Sequence, residues 1–111
     1  MAKRTMQEAT FMILTALAAG AQHGYGIITD VRTISGGRVQ LKAGTLYVAL
    51  ERLRAEQLIE VDREETVEGR MRRYDRLTLG GKKLLAAEAE RMQTSAQVAV
   101  ARLKATPGMA A

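Results

Sequence analysis

The chain of 111 residues contains no cysteine and no tryptophan, and it has a single histidine. The lack of cysteine excludes disulfide bonds, thiolate catalysis and cysteine-ligated zinc sites. Aromatic residues make up only 4% of the sequence, so aliphatic and methionine side chains must fill the core. The histidine, His23, has no serine and carboxylate partners at a specific spacing, and metal-ligating residues do not cluster. The sequence therefore predicts a protein that is not an enzyme and needs no metal or cofactor.

Long apolar runs are also missing. The basic residues of the amino terminus are not followed by a secretion-type apolar segment, and the apolar stretch 11–19 is too short to span a bilayer. We therefore expect a cytoplasmic protein with no membrane partner. The sequence does have an excess of positive charge, with a net charge of +5. This excess favours an anionic partner, and nucleic acid is the leading candidate.

Residues 42–59 show the clearest helical periodicity in the chain. Leu46, Leu50 and Leu53 fall on one face of the predicted helix, which would be buried. The rest of its surface offers short, polar or basic side chains, namely Lys42, Thr45, Val48, Ala49 and Arg52. Such a helix can bury its leucines in a core and still lie close to another surface.

Two further helices are predicted before residue 42. The sequence Thr5-Met6-Gln7-Glu8 has the form of a capping box and predicts a helix from about Met6 to Ala19. A second helix should run from about His23 to Ile34, followed by a candidate short strand at residues 38–41. The predicted buried stripe of this second helix is Tyr25, Ile28 and Val31.

A β-hairpin is predicted after the helix that begins at Lys42 and ends at about Glu56. Residues 58–61 have a strand pattern, and the polar segment 64–69 predicts the connection, with Gly69 at positive φ. A basic strand beginning at Arg70 follows. Helix, strand, turn and basic strand in this order predict a mainly α fold with a small β-hairpin wing, the winged helix-turn-helix.

The last helix should begin after a Thr78 cap and reach about Lys104, a length of roughly 40 Å. Its apolar positions alternate spacings of four and three, as in a heptad seam: Leu85, Ala89, Met92, Ala96, Ala99 and Leu103. A small domain cannot cover a helix of this length, so we expect a two-fold homodimer through this seam. The alternative is a monomer in which the helix folds back on the first helix.

The predicted division of the chain follows from these elements. Residues 1–78 would form the winged helix-turn-helix domain, and residues 79–104 the dimerisation helix. Residues 105–111, with Pro107-Gly108, would form a flexible tail.

Two blocks of residues resemble the PadR-like family of bacterial transcriptional regulators. The first block is Gly44-Thr45-Leu46-Tyr47, Leu50, Arg52-Leu53 and Leu58-Ile59, and the second is Gly69-Arg70, Arg72-Arg73-Tyr74, Leu77-Thr78 and Gly81. His23-Gly24-Tyr25 with Ile27 is similar to the opening of the family's second helix. The chain length resembles the family's short subtype, which has one helix after the wing. The sequence departs from the family pattern at Gln57 (usually glycine), Gly26 (commonly acidic) and Asp75 (a second tyrosine).

The resemblance implies a recognition helix in the major groove of DNA. Lys42, Thr45 and Arg52 would supply hydrogen-bond donors, Val48 would meet a thymine methyl group, and Tyr47 would reach a phosphate. The alternative is structural: Tyr47 would be a core residue and Arg52 a solvated surface charge.

The basic strand would place Arg70, Arg72 and Arg73 near the sugar-phosphate backbone, although neighbouring strand residues face opposite sides. The alternative is a solvated edge strand. Because glutamates surround the predicted wing tip, we expect the tip itself to stay away from DNA.

A small-molecule site is implied by the resemblance alone. In the short subtype, aromatic or cationic compounds bind at the dimer centre, and the matching positions here are Phe11, Thr15, Glu88 and Met92. Met92 stands in the place of the family's stacking tryptophan, and it serves equally well as ordinary seam packing.

The expected function is that of a repressor that binds a pseudo-palindromic operator as a homodimer and is released by a small hydrophobic or aromatic effector. Two alternatives remain at this point. The winged helix could serve protein–protein assembly through its basic face, or the chain could be a ligand-binding scaffold with weak DNA affinity.

Overall fold

Residues 6–105, which the computed structural model describes, form four α-helices and one two-stranded antiparallel sheet. In chain order the elements are α1 (Glu8–Ala18), α2 (Gly24–Ile34), α3 (Ala43–Ala55), β1 (Ile59–Val67), β2 (Arg70–Leu77) and α4 (Leu79–Ala105). This order confirms the predicted fold class, a mainly helical winged helix-turn-helix with a hairpin wing.

Helix α3 is anchored in the core by its leucines. Leu46, Leu50 and Leu53 are buried, as predicted, against apolar side chains of α1, α2 and the base of the wing. Burial of each such side chain stabilises the fold by about 1.5–3 kcal/mol. This packing fixes the rotation of α3 about its axis and therefore decides which of its residues face outward.

Helix α2 begins at Gly24 and buries a different stripe from the one predicted. Gly24, Ile27 and Val31 are buried, whereas Tyr25 is 76% exposed and Ile28 only partly buried. The prediction of Tyr25 as a buried residue was therefore wrong. The buried line follows spacings of three and four from Gly24, and this places the tyrosine on the solvent side.

Two boundary predictions also need correction. Helix α1 begins at Glu8 rather than Met6, with Gln7 at its N-cap, and the predicted cap residue Thr5 lies outside the described residues. Residues 38–41 do not form a strand. The backbone N–H of Val39 instead donates to the Ser35 hydroxyl at 2.9 Å, so a side chain takes the bond that a strand partner would have made.

The wing is longer than the sequence predicted. Strand β1 runs to Val67, so the segment 64–67 is paired strand rather than connection. The loop contains only Glu68 and Gly69, with φ values of 52° and 76°, as in a type I′ turn. The positive φ predicted for Gly69 is confirmed.

Helix α4 begins as predicted. The Thr78 hydroxyl accepts a hydrogen bond from the Gly81 N–H at 3.0 Å and donates to the Gln57 carbonyl at 2.7 Å. The helix has 27 residues, and every residue from Ala89 to Ala105 is exposed. Ala105, which was predicted to begin the flexible tail, is the last residue of α4 instead. The rest of the predicted tail, from residue 106 onward, lies outside the described residues. Over residues 6–105, none of the helices combines the length and apolar character that a membrane span requires.

Candidate nucleic-acid interface

A cleft of about 340 Å³ lies between helix α3 and strand β2, beside the start of helix α2. We call it the α3–wing cleft. Its lining combines aromatic, basic and small residues: His23, Gly24, Tyr25, Tyr47, Leu50, Glu51, Arg54, Arg70, Met71, Arg72, Arg73 and Asp75. The cleft therefore brings together residues that the sequence placed in separate motifs.

Two tyrosines line this cleft. Tyr47 is 55% exposed, which removes the alternative in which it is a core residue. Its hydroxyl lies over Gly24, where a Cβ atom would be 3.0 Å from the tyrosine oxygen. Tyr25, at the second position of α2, was missed as a site residue because its helix was read in the wrong phase. A helix start at Gly24 would have turned it outward.

The arginines of the wing fall into two groups. Arg70 and Arg72 form no ion pair with any residue among those described. The others are paired with wing carboxylates: Arg63 with Asp62 (2.9 Å) and Glu65 (2.7 Å), Arg73 with Glu64 (3.8 Å), and Arg76 with Glu60 and Asp62 (both 2.9 Å). Two guanidinium groups on this side of the cleft are thus free to meet an anion.

Hydrogen bonds from Arg63 are the main reason that the pKa values of two wing carboxyl groups, Asp62 and Glu65, lie below their usual range. Both groups therefore stay ionised down to unusually low pH. Three of the four wing glutamates, Glu60, Glu64 and Glu65, are partners of wing arginines and neutralise their charge.

The predicted base-reading residues of α3 do not all lie together. Lys42, Thr45 and Val48 are exposed at the beginning of the helix. Arg52 is held on the flank towards α1, where its Nη2 donates to the Thr10 hydroxyl at 3.0 Å and its Nη1 lies 3.4 Å from Glu56. Its guanidinium therefore faces away from the α3–wing cleft, which Tyr47 lines.

A buried ion pair forms part of the cleft wall. The Arg54 guanidinium donates from Nε and Nη2 to the two carboxylate oxygens of Asp75, at 2.8 and 3.1 Å. Asp75 is 1% exposed, and its hydrogen bonds to Arg54 are the main reason that the pKa of Arg54 is raised. No sequence pattern predicts this contact, because the two residues are 21 positions apart.

His23 lies at the same end of the cleft as the wing arginines. Its ring packs against Tyr74 with a centroid distance of 5.2 Å, and the Arg63 guanidinium lies 4.0 Å from the centre of the same tyrosine ring. Burial, and next the positive charge of Arg72, lower the pKa of His23 below its ordinary value of 6.5, against an opposing effect of Glu65. His23 is therefore predominantly neutral at pH 7.

The residues predicted for a dimer and for an effector lie along α4. Leu85 packs against the core of its own chain, whereas the other five seam positions are exposed. Phe11, Glu88 and Met92 line a hollow of about 130 Å³ between α1 and α4. Thr15 is not among its lining residues, and its hydroxyl donates to the Phe11 carbonyl at 2.7 Å.

A model of the transcriptional regulator PadR-like family matches residues 13–87, which is most of the described chain. The chain belongs to this family. The match begins in α1 and ends in the first part of α4, so it includes the whole wing and the α3–wing cleft of this PadR-like chain. The resemblance drawn from the sequence motifs is thereby confirmed.

Solved structures support the same assignment. A PadR family regulator from Clostridium difficile R20291 is 25% identical with a TM-score of 0.72, and the match covers 87% of this PadR-like chain and 99% of that one. Bacillus subtilis PadR, solved in complex with operator DNA, shares the fold at 24% identity and a TM-score of 0.65. That match covers 73% of this chain and 46% of the Bacillus protein.

One curated relative is closer in sequence. An uncharacterised 37.1 kDa protein of a Streptomyces fradiae transposon, TN4556, is 42% identical over 85 residues. The match covers 77% of this PadR-like chain, which spans only 23% of the length of that relative.

Proposed function

We propose that this PadR-like chain is a cytoplasmic, sequence-specific DNA-binding repressor that acts as a homodimer on a pseudo-palindromic operator. The observation that carries the proposal is the α3–wing cleft. It combines two unpaired guanidinium groups, Arg70 and Arg72, with the exposed hydroxyl-bearing rings of Tyr25 and Tyr47. A net charge of +5 adds long-range attraction to a polyanion. The likeness to a protein solved on operator DNA supports this assignment.

The geometry suggests a division of labour between the two walls of the cleft. Lys42, Thr45 and Val48 at the exposed start of α3 would read base edges in the major groove. Arg70 and Arg72 would neutralise phosphates and fix the register without reading sequence. We expect Arg52 and Arg73 to contribute less to DNA binding than predicted, because each of these arginines already has a carboxylate partner.

The homodimer is proposed from the exposed part of the α4 seam. Ala89, Met92, Ala96, Ala99 and Leu103 have no cover within residues 6–105. A second copy related by a two-fold axis would bury them and hold two α3 helices at a fixed separation. The operator should then contain two half-sites about one helical turn apart.

Selection of bound sequences from random duplex DNA tests the proposal, followed by titration of the selected site at several salt concentrations. Replacing both Arg70 and Arg72 by alanine should weaken binding to every sequence. It should also reduce the slope of log affinity against log salt by about four, because each of the two protomers loses two phosphate contacts. Arg76→Ala is the matched control, since Arg76 is on the same strand but is paired with Glu60 and Asp62. Equal losses in the double variant and the control would contradict the assignment of the free arginines.

Thr45→Ala and Val48→Ala test the other wall. Each should change which base is preferred in the half-site by about 1–3 kcal/mol while leaving the salt dependence unaltered. If these variants instead reduce binding to all sequences alike, α3 does not read bases and the division of labour fails.

We include release by a small hydrophobic or aromatic effector in the proposal because of the hollow between α1 and α4. Its volume of about 130 Å³ is below the roughly 300–1,000 Å³ typical of ligand pockets, so a second protomer would have to complete it. Calorimetry with hydrophobic cations and phenolic acids, followed by operator titration, tests this. Operator affinity unchanged across the panel would remove the effector from the proposal.

A further inference from the structure

Asp75 connects the wing to two other elements. Its carboxylate holds the Arg54 guanidinium of α3 through two hydrogen bonds. Its backbone N–H donates to the Gln22 carbonyl at 2.9 Å, and its carbonyl accepts from the Gln22 N–H at 3.0 Å. One residue of β2 is therefore bonded both to the recognition helix and to the segment that leads into α2.

Gln22 extends this network into the helical core. Its side-chain amide donates to the Ala16 carbonyl of α1 at 2.9 Å and to the Asp30 carboxylate of α2 at 3.0 Å. The amide fits because Gly26 has no side chain, since a Cβ atom there would lie 2.9 Å from the Gln22 oxygen. Gly26 and Asp75, two departures from the family's sequence pattern, thus meet in the same network.

A buried ion pair is not an efficient source of stability. Apolar residues of similar volume often stabilise a fold as well or better, because ionic groups lose their hydration on burial. The distinctive property of this pair is that its two groups are held in a fixed relative orientation. A planar guanidinium bound by two parallel hydrogen bonds fixes both the distance and the angle to the carboxylate.

We propose that Arg54 and Asp75 are a positioning pair that sets the distance and angle between helix α3 and the wing. Both residues line the α3–wing cleft, as do Tyr47 on α3 and Arg72 on β2. With the pair intact, the start of α3 and the free wing arginines meet bases and phosphates simultaneously. This inference rests on the proposed function for its binding readout, and its structural readout is independent of DNA.

The structural test uses spin labels, which are easily placed because the chain has no cysteine. Ala55→Cys on α3 and Thr66→Cys on the wing are both exposed positions. The inter-label distance should be narrowly distributed in the otherwise unchanged chain and clearly broader when Arg54→Met is combined with Asp75→Leu. A distribution of unchanged width in this apolar variant would overturn the proposal, whether or not the chain binds DNA.

The binding test compares the apolar variant with a control of identical charge change. Glu8→Leu with Arg38→Met removes an exposed ion pair of 2.5 Å far from the cleft. At a temperature where circular dichroism shows both variants folded, the Arg54–Asp75 variant should bind the selected operator roughly tenfold more weakly, with a smaller salt slope. Its affinity for non-specific DNA should be nearly unchanged, and the control should match the parent chain throughout.

Arg54→Lys separates geometry from charge. Lysine keeps the positive charge beside Asp75 but cannot make two parallel hydrogen bonds. The width of the inter-label distance distribution and the operator affinity of Arg54→Lys should therefore lie between those of the parent chain and the apolar variant. Parental values for both measurements would overturn the geometric role. If the parent chain itself retains no DNA, the proposed function fails, while the label distances still decide the role of the pair.

Discussion

The head of the molecule, residues 6–78, and the rod, the part of α4 from Ala89 to Ala105, use the same kind of apolar stripe in opposite ways. In the head, the leucines of α3 are buried by their own chain. In the rod, Met92 is 44% exposed and Leu103 is 53% exposed at equivalent spacing. A stripe on a short helix is covered within a small domain, whereas α4 extends beyond it. This difference in exposure is the reason for the proposed homodimer, in which a second copy of the chain would cover the rod.

The strongest way to test this contrast is a matched pair of leucine truncations. Leu50→Ala should destabilise the chain by about 2–5 kcal/mol, because it opens a cavity in the buried core of the head. Leu103→Ala should leave the fold of the head intact. Thermal unfolding at several protein concentrations distinguishes the two variants. The loss of stability in Leu50→Ala should be the same at all concentrations, whereas the loss in Leu103→Ala should change with protein concentration. Concentration-independent losses of equal size would contradict the contrast.

Charge in the rod should break association without unfolding the head. Ala96→Glu places a carboxylate in the predicted seam and should weaken dimerisation by about 2 kcal/mol, roughly 30-fold, because the charge would be buried unpaired. Ala101→Glu is the control, as the same substitution at an exposed position on the other side of α4. Sedimentation equilibrium provides the measurement. If both variants associate alike, the seam is not the interface.

The joint between head and rod depends on one close approach. At Gly81 a Cβ atom would lie 2.0 Å from the Leu58 carbonyl oxygen, so Gly81→Ala must displace α4 or the backbone. We expect a loss of about 1–3 kcal/mol in the free energy of unfolding, measured by urea denaturation. Gly80→Ala is the control, because its nearest neighbour would be 3.6 Å away. A Gly81 variant as stable as that control would show that the joint is not tightly packed.

The sequence predicted the features that depend on helical periodicity. The leucines of α3, the Thr78 cap and the length of α4 follow from spacings within a single helix. The wing was predicted too short because the polar segment with Glu64 and Glu65 has the composition of a loop. These residues form a strand because they pair with Arg73 and Arg72 across the hairpin. Asp75 could not be identified as buried, because the cation that permits its burial is far away in the sequence.

The smallest predicted effect concerns the electrostatics of the head. His23 is the only histidine of the sequence, so its ring resonances can be assigned directly by NMR. Burial and Arg72 lower its pKa below 6.5, so stability should fall as the pH drops from about 6.5 towards the folded-state pKa. Phosphates in the α3–wing cleft would oppose the charge of Arg72 and raise the pKa of His23.

A higher pKa in the complex means that DNA binding takes up a fraction of a proton. Operator affinity should therefore increase slightly as the pH falls from about 7 to 6, and His23→Gln should abolish this trend. The rod contains no histidine, so the same pH change should leave dimerisation unaltered. A histidine pKa that is the same with and without operator would mean that phosphate does not approach this end of the cleft. In that case DNA would contact only the exposed start of α3 and, on the wing, Arg70 rather than Arg72.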